Sequence, residues 1–598
     1  MATQARPIED VYGPGTFTDH EFTQVPVEAA RILRLLASQA PDFNTSEEHL
    51  SKVRFVGEDN LMVPGPIKAV PVAAALHAMA GLLADEILSL RTEGSLQESS
   101  QRRITINTTH TALWLGTVAA AYLNHMPVLD LFRQRTLDKY VPDWQRGNRF
   151  TPLKLRGTGI YPTKTPGKWY SLHGSLDAPP MLRSTLGIDP DSLPEIDTSA
   201  KAYTHISSVT EQFSPEELEF RNISKGFCGS ICFTPEEWSA SSMGKSLASR
   251  PLIDVSPAPT HSLPLRPVPF YPLSPDEKDK RPLKGFKILV LARIIAAPQT
   301  ACLLASFGAD VIRVHAPHLP DLNLCQVTLN AGQKTTSLDL RVPKDLARFH
   351  GWLNEADVFI QGFRPGRLGQ FGLSQDEILS MAAKRGRGIV YLSESCYGPE
   401  GIYATRPGWQ QVADCASGAA YVMGRTHGLP DGECVLPSLP ISDMSCGVVG
   451  AVGVMMGLRN RATKGGSWVV NSALVRVNTF SLSKEVGLYD MKTVEECQRR
   501  FKWREMRGQH HVLDLLGTVW DGWMGNEVVQ KYLKEDGGWF ESWKESAFGQ
   551  GMRLSILKPV VRFSVGQEEE KDEEGARPAW TLPSVPFGFY DADLVGFD

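Results

Sequence analysis

At 598 residues the chain has room for roughly two to four domains, and 42% hydrophobic against 22% charged residues is the balance of a globular protein with a large core. A net charge of −5 leaves no basic footprint, so nucleic acid is excluded as the expected partner. The nine Cys are odd in number, with no second close pair beside Cys228 and Cys232. They read as reduced, mostly buried thiols rather than a disulfide framework or a metal site. The first residues carry neither an apolar export core nor an Arg-rich amphipathic pattern, and the last carry no targeting motif, so the expectation is cytoplasmic. The longest apolar run is short and glycine-rich, which argues against a membrane partner.

In chain order, Val27–Gln39 has the apolar stripe of an amphipathic helix. A proline-rich entry at 63–72 leads into a helix of Ala, Leu and Met through Leu90. A strand at Arg103–Asn107 and a second helix over 109–123 follow. Residues 130–250 read as a smaller α+β unit, with a strand at Lys168–His173 and helices over 178–188 and 235–248. Pro and Ser crowd 251–276, whose later part reads as a linker. From Gly285 short buried strands alternate with helices: Phe286–Leu291, Asp310–Val314, Thr336–Leu340, Asp357–Ile360 and Gly388–Leu392. That alternation predicts an open parallel α/β sheet, with ligands beyond the strand C-termini. Neither a dinucleotide glycine fingerprint, a phosphate-loop motif nor a serine-hydrolase elbow is present, which removes the support for those chemistries. His173 and His315 have no motif around them and read as satisfied or solvated. The acidic run Glu568–Glu574 reads as a solvated loop.

The polar pair Ser442-Asp443 separates a proline-punctuated run from a helix that is apolar nearly all round. Asp443 is therefore expected at a helix N-terminus at the mouth of the core, where orphan amides favour an ionised carboxylate. A nucleophile and an ordinary N-cap both fit that position. The order Pro, apolar helix, polar turn, strand, helix occurs twice. Setting Pro71 on Pro440 puts Gly81 on Gly450 and Ala74 on Asp443, and Pro251–Ser256 resembles Pro559–Ser564. The expectation is a tandem partial repeat whose first copy lacks the carboxylate.

Together, Gly285–Val290 with Ala296-Ala297-Pro298, Phe307–Val314, Asn330–Lys334, Phe363–Gly366, Arg406–Gly408 and Pro440–Asp443 resemble the class III CoA-transferases, a group that includes α-methylacyl-CoA racemase. The resemblance implies a Rossmann-like open parallel sheet with a smaller α+β domain and interlocked chains. Here that means an intramolecular pseudo-dimer or a homodimer: a diverged half at 1–275, and a half at 276–598 with a CoA-binding region at 285–480 and a C-terminal region at 481–598. It makes Asp443 the catalytic nucleophile and leads CoA past Ile294, Ala296, Gln333, Lys334, Gly362, Phe363, Phe371 and Trp409. CoA, acyl-CoA and a small carboxylic acid would be substrates, with no tightly bound cofactor and no metal. Gln333, Gln370 and Ala316 stand where the family carries basic residues, which puts the phosphate contacts in doubt. Trp409 stands where the racemase carries a histidine base. The implied function is transfer of CoA between carboxylic acids through an aspartyl intermediate; a racemase or a non-catalytic CoA-ester binder are the alternatives.

Overall fold

The computed structural model describes residues 8–92, 102–141, 151–259, 265–274, 276–430, 432–565 and 576–598. The acidic run Glu568–Glu574 lies outside them. A seven-stranded sheet organises the second half of the chain. Its strands are β1 (Asp254–Pro257), β2 (Lys287–Leu291), β3 (Asp310–His315), β4 (Lys334–Ser337), β5 (Val358–Gln361), β6 (Val390–Ser395) and β7 (Trp468–Ala473), in the spatial order β1-β7-β6-β5-β2-β3-β4. All neighbours are parallel except β1, which runs antiparallel to β7. Both faces are covered, as the alternation of side chains requires. Ile288 and Val290 enter the main core, while Leu289 and Leu291 pack with Phe349, Trp352, Phe359 and Ile378 on the other face.

Two helices lie on the main-core face, and a third packs against one of them. Ile441–Thr463 lies against β6 and β7, Ala296–Ser306 packs on one side of it and Ala69–Arg91 on the other. The close approach depends on glycine. A Cβ on Gly447 would stand 2.7 Å from the Ala296 carbonyl oxygen, and one on Gly453 would stand 2.4 Å from Val470 Cγ1. Ala69–Arg91 and Ile441–Thr463 are each 23 residues long, and by length and composition alone either is apolar enough to cross a membrane. The apolar run is thus longer than the sequence reading allowed. Both helices are core helices, 89% and 100% buried over their most apolar windows.

The chain boundary near 275 is not a boundary in space. Strand β1, from the N-terminal side, completes the sheet of the C-terminal side. Reciprocally, Val561–Val565 pairs antiparallel with Arg102–Asn107, which pairs parallel with Val53–Val56. Leu554–Leu557 likewise pairs with Ala121–Leu123. The two long helices begin alike: Ala69 N–H donates to the Ile67 carbonyl (2.7 Å) and Ile441 N–H to that of Leu439 (2.8 Å). The residues before them, Lys68 and Pro440, share φ −75° with ψ 52° and 57°. Matching these starts sets Pro71, not Ala74, opposite Asp443. The proline-on-proline register is one helical turn out, because Pro71 sits inside the first turn, where a missing N–H costs nothing.

Three local expectations are corrected. The helix expected over 109–123 ends at Leu115, capped by Gly116, and Ala121–Leu123 becomes a strand because Leu554–Ile556 pairs with it. The helix expected over 235–248 breaks at Ser241, whose hydroxyl accepts the Gly244 N–H and starts a second helix. Strand β4 starts at Lys334, two residues before the expected Thr336, and pairs with β3 only as far as Ser337. All nine Cys are free and buried.

Candidate active site

The N-terminal end of helix Ile441–Thr463 opens on a cavity of about 430 Å³ whose walls come from both sides of the chain. Asp443 lines it. Pro440 is the N-cap residue and makes no side-chain cap bond, so Asp443 is the third helical residue and the N-cap reading is set aside. Ile294 lines the cavity from the loop after β2 with φ +69°, a left-handed conformation in which a β-branched residue is strained. Trp409 forms another wall. Its indole N–H donates to Ser175 Oγ (3.1 Å), its ring stacks on His173 with centroids 5.3 Å apart, and the Arg293 guanidinium lies 5.9 Å from a ring centroid.

His173 is fully engaged. Its Nδ1 accepts the Ser175 N–H (3.0 Å), so Nε2 carries the proton and donates to Gln411 Oε1 (3.1 Å). Burial pushes its pKa down to about 3. A neutral imidazole with both nitrogens occupied is no base for a substrate proton.

Behind Asp443 stand two more carboxyls. Asp414 accepts Gln410 Nε2 (2.8 Å), Ser442 Oγ (3.1 Å) and Asn478 Nδ2 (2.8 Å), yet burial still pushes it up to about 7. Burial pushes Glu394 up to about 8. Glu394 reaches toward Gly362, where an added Cβ would stand 3.4 Å from its Oε2. Burial first, then the fields of Glu394 and Asp414, hold Asp443 well above the usual carboxylate range. The helix terminus pulls the other way, but its effect of about 0.3–1 kcal/mol is the smaller one.

Of the residues expected to guide CoA, Ile294 and Trp409 join Asp443 in the cavity wall. Ala296 opens the adjoining helix, buried, its carbonyl toward Gly447. Gly362 sits over Glu394. Phe363 and Phe371 are half-buried against the core on the other face of the sheet. Gln333 and Lys334 do not line this cavity and have partners within the protein. Gln333 is buried and donates to the Leu329 carbonyl (2.9 Å) and Cys302 Sγ (3.1 Å). Lys334 pairs with Asp310 and Asp598, both at 3.0 Å, and donates to the Gly596 carbonyl (3.1 Å). The C-terminal tail runs along this edge, with Phe587 stacked on His315 at 4.4 Å. The sequence reading missed the carboxyls Glu394 and Asp414 and the whole N-terminal wall of the cavity, including Val118, Lys154 and Leu176. Asp414 in an apolar helix, one turn from Gln410, is the signal that was legible.

Comparison with known proteins bears on what this geometry serves. The model of CoA-transferase family III matches residues 283–515. An acyl-CoA transferase of Gibberella moniliformis is 40% identical over 97% of this chain and 97% of its own length. The chain belongs to CoA-transferase family III. It is therefore an enzyme of CoA thioesters and carboxylic acids, with the mixed α/β fold of that family. An acetyl-coenzyme A transferase of Hypoxylon pulicicidum is 33% identical over 71% of this chain and 70% of its own. A CaiB/BaiF family protein from Brucella suis, solved as a crystal structure, is 25% identical over 34% of this chain and 55% of its own, with a TM-score of 0.30.

Proposed function

We propose that this CoA-transferase works through covalent intermediates on Asp443, with the N-terminal half serving as a built-in second subunit. The observation that carries the reading is the Asp443 carboxyl, placed at a helix start on the wall of the cavity. The carboxylate attacks the donor thioester carbonyl, the C–S bond breaks, and CoA leaves as thiolate from an aspartyl–acyl anhydride. The thiolate attacks the Asp443 carbonyl, releasing the donor acid and leaving an aspartyl-CoA thioester. The acceptor carboxylate attacks that thioester, expelling thiolate and forming the second anhydride. Thiolate then attacks the acceptor's acyl carbon and frees Asp443. Covalent catalysis of this kind divides one hard exchange into easier steps. The positive end of the helix favours the developing oxyanions.

Racemisation finds no support, because Trp409 cannot take a proton and His173 has no free nitrogen. The built-in subunit is supported by the reciprocal exchange of β1 and Val561–Val565. At the matching helix start, the space lined by Val70 and Pro71 is about 10 Å³, too small for a substrate. Incubation with an acyl-CoA, hydroxylamine trapping and peptide mass analysis test both points. The expected result is one Asp443 adduct per chain, and none in Asp443→Ala, with exchange reduced by about 10³-fold or more. Undiminished exchange in Asp443→Ala would falsify the mechanism.

A further inference from the structure

The Asp443 cavity also carries information about the acid it accepts, and this inference rests on the transferase reading above. Its walls are mostly apolar: Val118, Leu176, Leu324, Leu439, Val512 and Leu516 face the same space as Asp443. At about 430 Å³ it lies in the ~300–1,000 Å³ range of small-molecule sites. A second carboxylate on a substrate would need a cation there, because a charge taken from water without a partner is strongly disfavoured. Among the described residues, Lys154 is the one Lys or Arg in the lining, and its ammonium is held by Asp191 at 2.9 Å; Arg293, just behind the Trp409 wall, donates to the Pro320 carbonyl and lies in the field of Asp321. Asp191 is in turn held by Arg183 at 2.6 Å. The remaining titratable groups offer no substitute. His173 is neutral and doubly bonded, and His511 Nδ1 accepts the Leu513 N–H at the start of its own helix. His318 stands 3.8 Å from Asp339. Asp177 is itself an acid in the lining and repels another.

We propose that the acid exchanged at Asp443 is an apolar monocarboxylic acid, aliphatic or aryl, rather than a dicarboxylic acid, and that the Lys154–Asp191 pair keeps the wall free of an available cation. The acid's single carboxylate does the chemistry with Asp443 while its tail displaces water from the apolar walls, which is the favourable term.

The test uses the full-length protein and two matched pairs, octanoyl-CoA with 3-phenylpropanoate and succinyl-CoA with glutarate, following the CoA esters formed. The apolar pair is expected to exceed the dicarboxylate pair by about tenfold or more in kcat/KM. In Asp191→Asn, an exposed change that releases Lys154, dicarboxylate use relative to the apolar pair should rise severalfold. Equal or better use of succinyl-CoA and glutarate by the wild type, or an unmoved ratio in Asp191→Asn, overturns the acid class while leaving the transferase reading intact. No exchange and no Asp443 adduct with either donor overturns both.

Discussion

Asp443 is governed by two opposed local effects. The helix start favours its anion, while burial and two carboxyl neighbours favour its acid, and the second group prevails. Exchange should therefore climb with pH as the cluster loses protons. Glu394→Gln removes one of the repelling charges and should move the acid limb of the kcat profile to lower pH; an unmoved limb would mean that Glu394 does not act on Asp443. The same raised carboxyls set a stability trend of opposite direction. Below pH ~4 folded and unfolded chains are both protonated at these sites. Between there and about pH 8 the unfolded chain sheds protons that Glu394 and Asp414 keep when folded, so stability falls as pH rises and then levels. Thermal midpoints of wild type and Glu394→Gln at pH 5.5 and 8.5 read this directly, with the smaller drop expected in the variant. Lys334, expected along the CoA path, already pairs with Asp310 and Asp598. Lys334→Ala should leave KM for the CoA ester within about twofold and lower stability by about 1 kcal/mol, measured by denaturant titration.

The helix Ile441–Thr463 turns its composition into position. Its glycines are not spacers: Gly447 lets the helix lie against the backbone of Ala296, and Thr300 Oγ1 donates to the Gly447 carbonyl at 2.8 Å. That contact sets the Asp443 turn beside the loop that carries Ile294. Gly447→Ala brings a methyl within 2.7 Å of a backbone oxygen that cannot rotate away, so one helix must shift. The expected cost is about 1–3 kcal/mol in denaturant unfolding, with a fall in exchange larger than the stability loss explains. Wild-type stability and rate in this variant would show that the two helices are not so tightly set. Periodicity made the helix and the strands legible; it did not locate their ends. Ala121–Leu123 has helix-forming residues and is a strand because a segment more than four hundred residues away pairs with it.

At the scale of the molecule the two sides complete each other. Residues 276–598 alone lack β1, the central partner helix Ala69–Arg91 and the cavity walls around Lys154 and Leu176. Expressed by themselves they should be poorly soluble and without exchange activity, and co-expression with 1–275 should restore both; an active 276–598 fragment would sink the built-in subunit.

What can be read along the chain is whatever depends on near neighbours. The short apolar runs of β2, β3, β5 and β6, the all-round apolar character of the Asp443 helix and the ordered motifs from Gly285 to Asp443 are local patterns, and with them the family and the position of Asp443 at a helix start were within reach. The engagement of His173, the pairing of Lys334 with the C-terminal tail and the apolar character of the cavity join residues hundreds of positions apart, and the acid cluster around Asp443 joins residues from three separate elements. Burial and pairing across such separations set pKa values and charge availability, and no local pattern encodes them.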